Sequence, residues 1–287
     1  MVEDLNSGVL FADIATNWSR HSRSSNWYAE NSETIERSFL PSISRGMKGG
    51  DFFLLGELGE VTFPWVSFGA INSGHLFGLD ELILFSYYFA NKNRYTSFLD
   101  LGANVGLHSL VASKLGMHVT AVEPDPTHLE YLSKVISANG LDQIEVIAGA
   151  ATTEQGPVSF VRVEGNSTGS HVRGAKESPY GVLVEMQVEG HPLSELILNK
   201  DLVKMDVEGL EADLLESLAH TDLSSVDILA EIGTEANAVR VFEFSKHHGV
   251  NLFSQKVNWS KADSAADLPH HHSEGSVFIS ASDTMPW

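Results

Sequence analysis

From Thr96 onward the apolar residues fall into short solid runs that alternate with stretches of helical spacing. Phe98–Leu101 is a run that predicts a buried strand, and Leu107, Leu110, Val111 and Leu115 then recur as one face of a helix. Gly116 ends that helix, and Val119–Val122 predicts the next strand. The following helix announces its own start, because Asp125 suits the N-cap and Pro126 the first helical position. Leu129, Leu132, Val135 and Ile136 form its inner stripe, and Asn139-Gly140 is its exit. Ile144–Ala148 predicts a third strand. The alternation resumes with a strand over Leu202–Asp206, a helix over Gly209–Ala219 and a strand over Val226–Glu231. A helix over Glu235–His248 follows, stopped by Gly249, and then two late strands, Val250–Phe253 and Ser276–Ser280, which are expected to pair. Strands and helices in this rotation predict βαβ units. The fold class is therefore α/β: a doubly wound, mostly parallel, Rossmann-like sheet with its strand C-termini along one edge.

Two regions depart from the rotation. Residues 1–95 give weak helical signals at Gly8–Trp18 and Glu33–Leu40, then two short strands around a turn within Phe52–Phe63. They close with a helix over Leu79–Ala90, for which Asp80 is a plausible N-cap. Residues 149–200 carry strands at Val158–Val163 and Val182–Val188 on either side of a polar loop, Glu164–Gly181. The expected organisation is an N-terminal extension, 1–95, that contributes to the acceptor pocket. A core domain, 96–287, follows with an insertion at about 157–190.

Composition narrows the function classes. The chain has 287 residues, 18 Lys and Arg against 38 Asp and Glu, and a formal net charge of −20. Such a surface repels phosphate backbones and anionic lipid, so neither nucleic acid nor membrane is expected as a partner. The acidity is read as serving solubility or a salty habitat, with a preference for cationic or neutral substrates as the alternative. There is no cysteine, which excludes disulfides, thiolate nucleophiles and Cys-ligated metal centres. No run reaches the roughly 20 apolar residues of a membrane helix. The N-terminus lacks the basic and apolar regions of a signal peptide, so a cytoplasmic protein is expected.

The candidate chemistry lies at the first two strand tips. Asp100 precedes a turn spaced Gly102-x-Asn104-x-Gly106, and Glu123 ends the second strand, so both carboxylates are expected in one crevice. Glu123 can accept both hydroxyls of a ribose. An acid ahead of the turn repels a pyrophosphate but suits a ligand with an ammonium and a sulfonium, as in S-adenosylmethionine. The spacing also differs from the G-x-G-x-x-G of dinucleotide sites, which counts against an NAD-type oxidoreductase.

Three segments together resemble the FkbM-type S-adenosylmethionine-dependent methyltransferases, a class I family. They are Phe98–His108, Val122–Pro126 and Val203–Glu211, and the resemblance covers roughly residues 60–280. It implies a seven-stranded sheet with an antiparallel last strand, and methyl transfer, usually to a hydroxyl of a sugar or natural product. Some relatives methylate peptide amide nitrogen, so the acceptor (small molecule, glycan or peptide) stays open. Carried onto this sequence, Asp100, Gly102, Asn104, Gly106, Glu123 and Asp125 line the cofactor, Ala150 lies near the adenine, and Ala103 and Pro124 belong to the same segments. Asp206 is the first candidate for the base that a hydroxyl acceptor requires, with Glu208 in support. Glu208 and Glu211 could instead cap the helix that follows. A divalent ion on Asp206 is a further alternative, and no metal ligand set is assigned. Lys204 is expected to pair with an acid inside its strand.

The histidines are weaker candidates. His108 either contacts the cofactor or packs its helix. His171 is read as a solvated loop residue rather than part of a lid, and His270–His272 as a surface loop. His75, Asp80 and Glu81 are candidates for one wall of the acceptor pocket. N-methylation, an NAD-type oxidoreductase and a non-catalytic nucleotide-binding protein are the competing readings.

Overall fold

The computed structural model describes residues 10–69, 71–175 and 181–287 of the chain. Helix α1 (Leu10–Thr16) is followed by a longer helical stretch, in which α2 (Asn26–Thr34) runs through a π-helical turn at Ile35–Phe39 into α3 (Leu40–Gly49). The expected helix at Glu33–Leu40 is thus the middle of a longer one. Pro41 accounts for the π turn, because its ring would press on the carbonyl of Arg37 in a regular helix. Strands β1 (Phe53–Leu54) and β2 (Glu60–Val61) pair antiparallel, as the glycine-containing turn predicts. Helix α4 (Leu79–Ala90) has the expected span, but Gly78 caps it and not Asp80. Asp80 turns instead to Arg23, Tyr28 and Gln255, three donors from distant segments that outcompete local capping.

The core rotation follows. Strand β3 (Ser97–Leu101), helix α5 (Leu107–Lys114), strand β4 (His118–Glu123), helix α6 (Pro126–Asn139) and strand β5 (Ile144–Ala148) come in order. The Asp125 carboxylate accepts from the Thr127 and His128 amides, and Gly140 closes α6 in a left-handed turn, as the sequence predicts. The insertion contains β6 (Ala150–Thr152), β7 (Gly156–Glu164), β8 (His171–Val172) and β9 (Val182–Pro192). It forms its own four-stranded sheet in the order β6-β9-β7-β8. The rotation returns with α7 (Leu193–Leu196), β10 (Leu202–Met205), α8 (Glu211–Ser217), β11 (Asp227–Glu231) and α9 (Glu235–His248). It ends with β12 (Asn251–Ser254), β13 (Ser260–Lys261) and β14 (Ser276–Ser280).

The central sheet has the order β13-β12-β14-β11-β10-β3-β4-β5. Strands β11, β10, β3, β4 and β5 are mutually parallel, and β14 runs antiparallel to both of its neighbours. Seven strands match the expected arrangement, and the two-residue β13 adds a short hairpin edge.

The sheet separates two cores. Leu99, Leu101, Val203, Met205, Ile228 and Ala230 face α8 and α9, where Leu214, Leu215 and Val241 are fully buried. Phe98, Leu202, Leu229 and Phe278 face the other way, into a cluster shared with α4, α5 and the N-terminal helices. Leu10, Phe11, Ile14, Ile35 and Ile43 belong to that same cluster. Burying each such side chain is worth about 1.5–3 kcal/mol, so the N-terminal segment stabilises the sheet that it covers.

Candidate functional site

The strand register decides which acids meet. Asp100 pairs with Ala121 across β3 and β4, and Glu123 lies two residues beyond Ala121. Side chains alternate along a strand, so Asp100 and Glu123 stand on the same face, as the sequence reading requires. They are nevertheless used differently.

Glu123 lines a cleft with Gly102, Asn104, Val122, Pro124 and Ala150. Its Oε2 accepts from the Asn104 amide at 2.8 Å and its Oε1 from the Asp125 amide at 2.8 Å. His128 Nδ1 stands 3.4 Å from Oε1, and its Nε2 is 3.0 Å from the Ser167 hydroxyl. Asn104 adopts a left-handed φ of 53°, tolerable for asparagine, and its side chain accepts from the Val105 amide at 2.8 Å. Asp100 lies behind the glycine loop, fully buried, with Oδ2 accepting from the Ser109 hydroxyl at 2.6 Å. Its Oδ1 has no hydrogen-bond partner, and Lys204 Nζ is 3.9 Å away.

The glycines serve the fold more directly than expected. A Cβ on Gly102 would lie 2.0 Å from the Asp206 carbonyl oxygen, and one on Gly106 2.3 Å from Leu132. These residues let the loop pack against β10 and α6. Ala103 is likewise buried against Leu132.

Of the other sequence candidates, Asp206 and Glu208 line the cleft. Asp125 is buried at the start of α6, where Arg162 of the insertion binds it. Burial alone would raise the Asp125 carboxyl, but Arg162, His128 and the Thr127 amide hold it below the usual carboxylate range. His108 packs between helices, with Nε2 2.8 Å from Glu81 and Nδ1 3.0 Å from the Tyr88 hydroxyl. Glu211 is a cap: its buried carboxylate accepts from the Val207 and Gly209 amides at 3.3 and 3.0 Å. His75 belongs to a capping box with Asn72, away from the acids. His270 is bonded to the Ala265 carbonyl and His271 to Ser273, while the His272 side chain lies outside the described residues.

His171 corrects the sequence reading. It is buried and lines the cleft with Phe160, Ser167, Thr168, Ser170 and Val172, so the insertion folds back as a roof. On sequence alone, its polar loop composition favours the solvated reading over the lid.

A second pocket opens beside the first. Asp80, Glu81, Leu84, Lys204, Asp206, Glu231 and Ser276 line it, and Asp206 is common to both. Lys204 is buried and contacts Asp206 Oδ2 at 3.3 Å, so it pairs as its strand position suggests. Burial would lower its proton affinity, but Asp206, Asp100 and Glu81 raise it well above the ordinary lysine range. Burial would also raise Glu81, yet His108 and Lys204 hold it below the ordinary range. Glu231 has no sequence motif around it. Its signal was positional, at the tip of the strand beside Asp206.

The cleft suits an adenosyl ligand with a cationic tail. Val122, Ala150, Ala151, Phe160 and Leu210 offer apolar walls, Glu123 offers a carboxylate to a diol, and Asp206 and Glu208 add carboxylates to the lining.

A model of the methyltransferase FkbM domain matches residues 100–260, more than half of the chain. The chain belongs to the FkbM methyltransferase family. It is 44% identical over 55 residues to the ribosomal protein L11 methyltransferase of Clostridium perfringens, which is 19% of this chain and 18% of that protein. The chain thus spans less than a fifth of the length of that relative. Among solved structures, the C-terminal domain of precorrin-6Y C5,15-methyltransferase from Rhodobacter capsulatus is similar at 16% identity, with a TM-score of 0.38 over 66% of this chain and 78% of that one. A methyltransferase from Geobacter sulfurreducens is similar at 15% identity, with a TM-score of 0.32 over 50% and 56%. Among the described residues no helix is long and apolar enough to cross a membrane.

Proposed function

We propose that the chain is an S-adenosylmethionine-dependent methyltransferase acting on a hydroxyl oxygen of a sugar, a glycan or a small natural product. The observation that carries this is the position of Asp206, the partition between the cleft that Glu123 and Ala150 line and an acid-lined second pocket. In this reading Glu123, Gly102, Asn104, Pro124 and Ala150 hold the adenosyl part, with the insertion above them. When bound, the cofactor supplies an electrophilic methyl group. The protein's work is then positioning, since an in-line displacement depends on holding the two reactants in register. Asp206 and Glu208 make the contacts on the acceptor side, and a carboxylate at this junction receives the hydroxyl proton.

Calorimetry with S-adenosylmethionine and NAD in parallel tests the reading. Binding of the first alone is expected. Asp206→Ala should keep that binding and lose methyl transfer, followed as the added mass of one methylene on the acceptor. Preferential NAD binding, or full turnover in the variant, overturns the proposal.

A further inference from the structure

We propose that Glu231, at the tip of β11, is the catalytic base that takes the acceptor's hydroxyl proton, an assignment that rests on the hydroxyl-methylation reading above. Its placement follows from the register. Leu229 pairs with Lys204 across β11 and β10, so Glu231, two residues on, faces the same side as Lys204 and Asp100. There it lines the second pocket with Asp206, Glu81 and Ser276.

Three carboxylates line this pocket beside Glu231, and they are not equivalent. Asp206 is paired with the Lys204 ammonium at 3.3 Å, Glu81 with His108 at 2.8 Å, and Asp80 with Arg23. A donor already seated on a carboxylate competes with an incoming hydroxyl for its lone pairs. The Glu231 side chain makes no hydrogen bond or ion pair among the described residues, its backbone pairing with Ser276 in the sheet. The charged groups that face it are Asp206 and Glu208 after β10, Lys204 within β10, Glu81 on α4, and Arg23 ahead of α2. Burial first, and then Asp206, Glu81 and Glu208, push its carboxyl well above the ordinary range, with Lys204 opposing. A raised carboxyl whose oxygens hold no side-chain partner therefore stands one strand away from the partition residue.

The step balances. The acceptor O–H bond breaks and its proton goes to the Glu231 carboxylate. The oxygen lone pair forms the bond to the methyl carbon, and the C–S bond breaks with its electron pair left on sulfur. One anion and one cation are consumed, leaving a carboxylic acid and a neutral thioether. The carboxylate form grows as pH rises, so turnover should climb through an acid limb above the ordinary glutamate range.

The test uses the full chain as wild type, Glu231→Gln and Glu231→Asp. Carbon-13 NMR of labelled glutamate side chains, on protein without ligand, should show the carboxyls of Glu211 and Glu231 titrating above the ordinary range, and of these only the second should be missing in Glu231→Gln. With methyl α-D-glucopyranoside as a hydroxyl probe, Glu231→Gln should lower kcat by about 100-fold or more, the usual worth of a general base. KM and the calorimetric affinity for S-adenosylmethionine should not change, the acid limb should vanish, and Glu231→Asp should recover part of the rate. Unaltered turnover and pH profile in Glu231→Gln overturn the proposal, and so does an ordinary titration of Glu231. If the wild type binds S-adenosylmethionine but leaves the probe unmethylated, the hydroxyl reading is what fails, and the titration alone then decides for or against Glu231.

Discussion

Glu211, five residues from Asp206, is an acid that the fold keeps for itself. It accepts from the Val207 and Gly209 amides and from Asn237 Nδ2, and only 2% of it is exposed. Burial is the largest influence on its carboxyl, Asp206 adds to it, the amides oppose it, and the result is pushed up to about 7. The native state therefore binds this proton more tightly than the unfolded chain, whose carboxyl titrates near 4.5. Its contribution to stability is whole at low pH and is lost as pH rises from the lower value to the higher one. That gap corresponds to about 3 kcal/mol. The urea midpoint of the wild type should fall between about pH 5 and pH 8, and Glu211→Gln should remove its own share of that fall, the raised Glu231 carboxyl contributing with the same sign. Equal slopes in the two proteins would show that the proton sits elsewhere.

At the scale of elements, the rotation from β3 to α9 was legible because solid apolar runs and helical stripes alternate, with Asp125-Pro126 and Gly140 marking the ends of α6. Asp100, Asn104, Glu123 and Asp206 were legible as strand-tip residues, and Glu231 occupies the same kind of position without a motif to advertise it. The roof was not legible. Its strands β7 and β9 could be read, but their fold-back depends on long-range contacts, Ser167 to His128 and the tie of Arg162 to Asp125 among them, that no local pattern encodes. The same blindness explains Asp80, a sound N-cap in isolation that three distant donors claim. The tie suggests a test of the roof. Arg162→Met leaves Asp125 buried without its cation, and breaking a buried pair in this way typically costs about 3–5 kcal/mol. We expect weaker S-adenosylmethionine binding in calorimetry together with faster amide exchange confined to β7, β8 and β9. Unchanged affinity with a loosened insertion would remove the roof from the cofactor site.

The whole molecule carries its charge unevenly. Against 38 acids stand only 18 lysines and arginines, and several of these are committed to fixed partners. Lys204 is buried among carboxylates, Arg162 holds Asp125, Arg94 reaches Asp227, and Arg240 bridges Asp213 and Glu216. The acids outnumber the bases by 20, and a net charge of −20 opposes the compact state. Screening should relieve that opposition while leaving the buried pairs nearly untouched, because the Debye length shrinks from about 10 Å at 0.1 M salt to about 3 Å at 1 M. Potassium chloride at pH 7 should therefore raise the melting midpoint, by about 2–4 °C for each kcal/mol of repulsion removed in a chain of this size. The gain should shrink as pH falls towards 5, where the acids begin to protonate and less repulsion is left to screen. A midpoint that is flat or falls with potassium chloride would mean that surface ion pairs, which salt weakens, outweigh the repulsion among the unpaired acids.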